Sequence, residues 1–368
     1  MLDLLTLHIG HPKTGTTSLQ ATFRESAPVL AKHGVFYFAK TRNHHPIARQ
    51  MHRRTRDRSE RDAATFARFE RELKNTSCPQ AFVGSETLIR LTDEEARNAV
   101  AYFRRFAQNV HVLVYVRHPV GFASSAAHQG IRTGRDLAEI EAAPRVLPLR
   151  QLLKRWRDAS GADRLIVRPF DRKLLVGGDV VDDALDVLGA SAAAPQLNRL
   201  RINDPLSVLG AQILNRAQRV EPDRDLAIES LRAFDAIAGP RYILPKKAQE
   251  KVRRASADHL AFLEAEFGVV LPDVDDAPSP PSDLSPAELD SLATTLYRLT
   301  QYAYAVDQSP AARLFGMRSP FSRAWDVAPH PLANILRRVG ITRRMIGREL
   351  RAERPILRPD AEDDASGG

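Results

Sequence analysis

The chain has 368 residues, 43% of them hydrophobic and 27% charged, with a formal net charge of +9, a sequence pI near 9.9 and a single cysteine. That balance excludes wholesale disorder and suits one large α/β domain or two small ones, and one cysteine excludes both a disulfide framework and a cysteine-based metal site. The basic excess calls for anionic ligands, but 7% aromatics and the lack of zinc-finger or RNP-type spacing speak against nucleic acid.

Along the chain, Leu5-Thr6-Leu7-His8-Ile9 reads as an apolar strand that runs into the tight loop Gly10 to Gly15. A helix with Leu19 and Phe23 one turn apart follows. A strand, loop and helix in this order aim backbone N–H groups and a helix dipole at one point, a seat for phosphate-like anions. Gly10 and Gly15 have Walker A spacing, but Thr16 stands where Walker A has its lysine, and the lysine sits inside the loop at Lys13. A short helix to His33 is stopped by Gly34, and Val35 to Phe38 reads as a strand.

Residues 40–62 are polar and basic, with Arg49, Arg53, Arg54, Arg56, Arg58 and Arg61 interleaved with acids. The expectation is a solvated helix or mobile loop with His44 and His45 on its surface, the other reading being an acceptor-binding surface. A helix over 63–73 leads to the strand Ala81 to Gly84, which ends at Ser85-Glu86. A helix over 94–106 precedes Val110 to Val116, whose near-continuous apolar run fits a parallel strand covered on both faces. That strand ends in Arg117-His118-Pro119, and a helix begins at Val120. Leu165 to Val167 is a further strand, ending in Arg168-Pro169-Phe170.

Strands alternating with helices predict an α/β fold with a parallel, doubly wound sheet and ligands at the carboxyl ends of its strands. Lys13, Glu86, Arg117 and Arg168 all lie at such ends. From about 206 the spacing predicts helices at 206–219, 224–237, 246–267 and 286–304. A proline-rich linker or surface loop covers 272–286, and a basic tail with an amphipathic helix over 332–350 ends in a disordered stretch at 360–368. The expected division is one domain over 1–305, with an α/β core to about 190 and a helical part from about 200, followed by the tail 306–368. No run approaches the roughly 20 apolar residues of a spanning helix. The start has no basic n-region, and the expectation is a cytoplasmic protein.

The loop Pro12-Lys13-Thr14-Gly15-Thr16-Thr17 resembles the 5'-phosphosulfate loop of the sulfotransferases, whose donor is 3'-phosphoadenosine 5'-phosphosulfate (PAPS). The stretch Val114 to Ser125 resembles the same family's strand-Arg-turn-helix-Ser pattern, which grips the 3'-phosphate, and Arg117 and Ser125 fall on its two positions. Val167-Arg168-Pro169-Phe170, Leu175 to Asp179, Leu188-Gly189 and Pro245 to Phe267 look like bacterial carbohydrate sulfotransferases, so that the resemblance covers roughly residues 3–305. It implies a P-loop-type parallel sheet with a mostly helical C-terminal part.

The resemblance also implies a donor site of Pro12, Lys13, Thr14, Gly15, Thr16, Thr17, Arg117 and Ser125, with Lys13 catalytic. Glu86 resembles the catalytic glutamate of the heparan-type enzymes, while His44 and His45 are its rivals on the substrate side. The acceptor is expected to be a carbohydrate or glycolipid, with peripheral membrane contact through the tail, and no metal is needed because the sulfate is singly charged. One departure is that Pro240 to Lys247 matches the family's late Gly/Lys-rich loop poorly. Two rival readings are an NTP-dependent kinase, which lacks both the Walker lysine and an acid at the Arg117 position, and a non-enzymatic basic module that binds polyanions or membrane through residues 49–61 and the tail.

Overall fold

The computed structural model describes residues 1–41, 43–52, 60–200, 206–220, 237, 239–274, 284–287, 289–290 and 292–294. Five strands, β1 Leu2–His8, β2 Val35–Tyr37, β3 Gln80–Gly84, β4 Ala107–Val116 and β5 Leu165–Pro169, form one sheet in the order β2-β3-β1-β4-β5. Every pairing is parallel. The described α-helices are α1 Thr16–Glu25, α2 Ala27–Lys32, α3 His45–Arg49, α4 Glu60–Asn75, α5 Asp93–Phe103, α6 Pro119–Arg132, α7 Leu137–Ala142, α8 Leu149–Ser160, α9 Val180–Val187, α10 Val208–Val220 and α11 Lys246–Phe267.

Alternate residues of the strands enter different cores, which is why the central strands are apolar throughout rather than at every second position. Leu5, Leu7, Ala81, Val83, Val110, Val112, Val114 and Val116 pack with Phe69 of α4, Phe103 of α5 and Trp156 of α8. Phe82, Leu113, Tyr115, Val35 and Tyr37 pack on the other face with Leu19 and Phe23 of α1 and Val180 and Ala184 of α9. Helices on both faces of a parallel sheet are the architecture the alternation of elements predicts.

Elements differ from the expectation in two places. Residues 40–62 are not merely a solvated segment, since α3 lies in them, its Ile47 and Ala48 are buried in the first core, and Arg49 forms a two-pronged ion pair with Asp62 at 2.8 Å. Helices α7 and α8 stand where no element was predicted. Leu149, Leu153 and Trp156 of α8 are buried at helical spacing, and its burial against the sheet follows from that stripe.

The chain falls into two compact units interleaved in sequence, one of residues 1–123, 145–203 and 249–275 and the other of 124–144, 204–248 and 276–368. The first holds the sheet and both cores. The second, where described, is tied by Leu206 N–H donating to Nδ1 of the buried His128 at 3.0 Å, by the Nε2 of that ring 2.9 Å from the Tyr242 carbonyl, and by Tyr242 O–H donating to Glu141 at 2.7 Å. Helices α10 and α11 match the expected 206–219 and 246–267 closely. All but the last residue of the helix expected at 224–237, most of the linker and of the helix at 286–304, and the whole tail lie outside the described residues. Among the described residues no helix is long and apolar enough to cross a membrane.

Candidate functional site

Four chain segments leave neighbouring strands at one edge of the sheet, because the strands are parallel and in register. Ile9 N–H continues the ladder onto Leu113 O at 3.0 Å, Ser85 N–H bonds His8 O at 3.0 Å, and Phe170 N–H bonds Val116 O at 2.6 Å. Glu86 therefore follows β3, the Gly10–Gly15 loop follows β1, Arg117 follows β4 and Phe170 follows β5, in that order across the edge. This is the carboxyl edge, where open α/β sheets take their ligands.

The loop is shaped by three left-handed residues. Gly10 has φ 61°, and a Cβ there would lie 2.8 Å from the Glu86 Cα, so only glycine lets the two chains pass. Gly15, at φ 69°, precedes α1, where a Cβ would lie 3.0 Å from Val180 and 3.3 Å from the Phe170 ring. The third is Lys13 at φ 68°, the one non-glycine with positive φ among the described residues. A side chain in that region costs on the order of 1 kcal/mol, a strain that persists where surrounding contacts impose it.

Those contacts are identifiable. Arg117 donates to the Lys13 carbonyl at 3.2 Å, Thr14 donates its hydroxyl to the His11 carbonyl at 2.6 Å, and the His11 ring, buried against Phe122, donates from Nδ1 to the Pro12 carbonyl at 2.9 Å. Helix α1 has neither a side-chain cap nor an acid in its first turn. The first-turn N–H groups of a helix have no carbonyl within it to bond, and the helix dipole makes that end positive. An uncapped helix start of that polarity, behind a tight loop, is an arrangement that suits an anion.

Of the loop hydroxyls expected to face a ligand, that of Thr14 is committed to His11, and that of Thr16 donates to Oε1 of Glu86. Burial pushes the Glu86 carboxyl above its ordinary pKa, and the charges of Lys13 and Arg90 pull it back without cancelling the rise. Burial thus makes the carboxylate a better proton acceptor than an exposed one, although a lysine and an arginine act on it. Burial also drives the His11 imidazole down to about 4, helped by Arg117 and Arg145, so it stays neutral. Lys13 and Arg90 thus act on the Glu86 side, and Arg117 and Arg145 on the His11 side.

Compared with protein-family models, with characterised proteins and with solved structures, the chain matches none. The site's geometry therefore carries the functional reading.

His44 is not the solvated residue its polar surroundings suggest. It is fully buried, its Nδ1 accepts Gly84 N–H at 3.1 Å and its Nε2–H donates to Phe38 O at 2.9 Å, and burial lowers its pKa to about 4. Both nitrogens are spent on the backbone, and none remains for an acceptor. His45 is half-buried with Nδ1 2.8 Å from the Ser85 hydroxyl, the residue beside Glu86, and burial together with Arg49 and Arg90 lowers its pKa. It stays in the neighbourhood of the site.

Arg168, at the end of β5, is engaged elsewhere: it grips the buried Asp183 through two bonds of 2.9 and 2.6 Å, and Tyr115 O–H joins at 3.0 Å. Ser125 lies in the second turn of α6, half-buried, within residues of the second unit. Sequence reasoning missed Arg90 and Arg145, since neither belongs to a motif, and missed Phe170 as a ring lying 5.9 Å from the Arg117 guanidinium. Among the described residues no group of three His, Cys, Asp or Glu side chains is placed to hold a metal.

Proposed function

We propose that the chain is a sulfotransferase of the P-loop type that uses PAPS as donor and a carbohydrate or glycolipid hydroxyl, or an amine, as acceptor. The observation that carries this reading is the strained Lys13 between Glu86 on one side and Arg117 on the other, at the mouth of an anion cradle. Two features support a phosphosulfate: the glycines at 10 and 15 let the loop turn tightly against Glu86, Val180 and Phe170, and Thr16, rather than a Walker lysine, opens the helix. The single cysteine fits a reducing cytoplasm.

The donor supplies an SO₃ group that forms a bond to the acceptor oxygen as its bond to the phosphate oxygen breaks, the phosphate leaving with the electron pair. Charge builds on the leaving and peripheral oxygens, and fixed cationic and N–H donors already in place stabilise it. Lys13 and the start of α1 serve that charge. Glu86 takes the acceptor's proton. Arg117 serves twice, holding the Lys13 carbonyl and meeting the donor's 3'-phosphate.

The test is transfer of labelled sulfate from PAPS to panels of sugars, glycolipids and phenols. The reading expects EDTA-insensitive transfer to a sugar-bearing acceptor, and loss of transfer in Glu86→Gln. Transfer of the γ-phosphate of ATP to the same panel, with none from PAPS, would overturn it in favour of a kinase.

A further inference from the structure

A hydroxyl has one proton to give, and that of Thr16 goes to Oε1 of Glu86. Thr16 is also the first residue of α1, on the cradle where an anion would sit. An anion oxygen there is a second acceptor for the same proton. The backbone leaves little slack, since Gly10 passes so close to the Glu86 Cα that the loop and the end of β3 are held together. The choice made by one hydroxyl therefore decides how the carboxylate is held.

We propose that Thr16 is a positioning residue that couples anion occupancy of the loop to Glu86: its hydroxyl holds the carboxylate toward the loop, and an anion that takes the hydroxyl releases Glu86 toward the acceptor. This rests on the sulfotransferase reading for the nature of the anion and the role of the base. Donation from a hydroxyl favours the charged carboxylate, so its loss makes Glu86 a stronger base, and negative charge placed beside it acts in the same direction. The base is then strongest when the donor is seated, which disfavours proton uptake without transfer. The other groups facing Glu86 are Lys13 from the loop and Arg90 from the short turn Leu88–Arg90, and His45 of α3 bonds the adjacent Ser85. None of them is altered by changing Thr16.

The experiment follows the Glu86 carboxyl in the full chain by carbon NMR with glutamate labelled at Cδ, its resonance assigned by its loss in Glu86→Gln. Titrations of wild type, Thr16→Val and Thr16→Ser run with and without saturating adenosine 3',5'-bisphosphate. Without nucleotide, Thr16→Val should hold the Glu86 proton roughly three- to tenfold more tightly than wild type, and Thr16→Ser should match wild type, as loss or retention of one hydrogen bond to a charged group implies. With nucleotide, wild type and Thr16→Val should titrate within about twofold of each other, because the hydroxyl no longer serves Glu86. Coincident curves without nucleotide, or a difference that survives saturation, overturn the coupling while leaving the sulfotransferase reading intact. Failure of wild type to bind the nucleotide overturns that reading and the coupling with it. A role confined to anchoring the loop would change melting temperature but give the same displacement in both states, which also counts against the proposal.

Discussion

Lys13 holds a conformation that glycine adopts freely, and on the proposed reading its side chain is kept there for the donor. Lys13→Gly should therefore leave the protein as stable or raise its stability by about 1 kcal/mol, while turnover falls roughly 10²–10³-fold, the usual cost of losing one transition-state donor. Melting temperature and kcat measured on the same variant separate the two effects. A parallel loss of both would mean that the lysine serves the fold. Glu86→Gln should keep nucleotide binding and lose about 10²–10⁴-fold in turnover. At this scale the turn of the loop and the place of Glu86 after β3 were legible, because strand ends and glycine spacing are local. His44 was not, since its partners, Phe38 O and Gly84 N–H, belong to chain up to 40 residues away and its neighbours are polar. Replacing His44 by Ala would strand two buried backbone groups, and should cost about 2–5 kcal/mol by denaturant unfolding.

Among the elements, the strands were readable for a physical reason: a parallel strand covered on both faces needs an unbroken apolar run, and β4 has one. A solvated helix was one reading of the stretch that holds α3, but its burial escaped because only Ile47 and Ala48 mark it among basic residues, and α8 escaped because its apolar stripe stands between charged residues. Arg168 at the end of β5 looked like a site residue by position alone. Its partner Asp183 comes from α9, which sequence order does not place opposite β5. Asp183→Ala should therefore destabilise by about 3–5 kcal/mol, leaving Arg168 and the Tyr115 hydroxyl without their acceptor. Arg117→Ala is expected to act at two levels, weakening nucleotide binding at least about tenfold and also lowering kcat, because the Lys13 carbonyl loses its donor. Unchanged nucleotide affinity in that variant would remove Arg117 from the donor site.

Over the whole molecule, three buried histidines, His8, His11 and His44, have folded pKa values of about 4 against 6.5 when exposed. The unfolded chain binds their protons first as pH falls. Stability should thus be level above about 6.5 and decline from there to about 4, by as much as ~3 kcal/mol per histidine at the low end. Thermal unfolding followed from pH 8 to pH 4 checks this, and a melting temperature that rose on acidification would contradict it. The net charge of +9 adds repulsion in the same direction as carboxylates lose their charge.

The central claim, that the edge between Glu86 and Arg117 takes a 3'-phosphorylated adenosine donor without metal, is tested most directly by calorimetry on the full chain. Adenosine 3',5'-bisphosphate should bind at least about tenfold more tightly than 5'-AMP, as expected of one added phosphate met by a fixed arginine, with EDTA making no difference. Equal binding of the two nucleotides, or tighter binding of ATP that requires Mg²⁺, would contradict it.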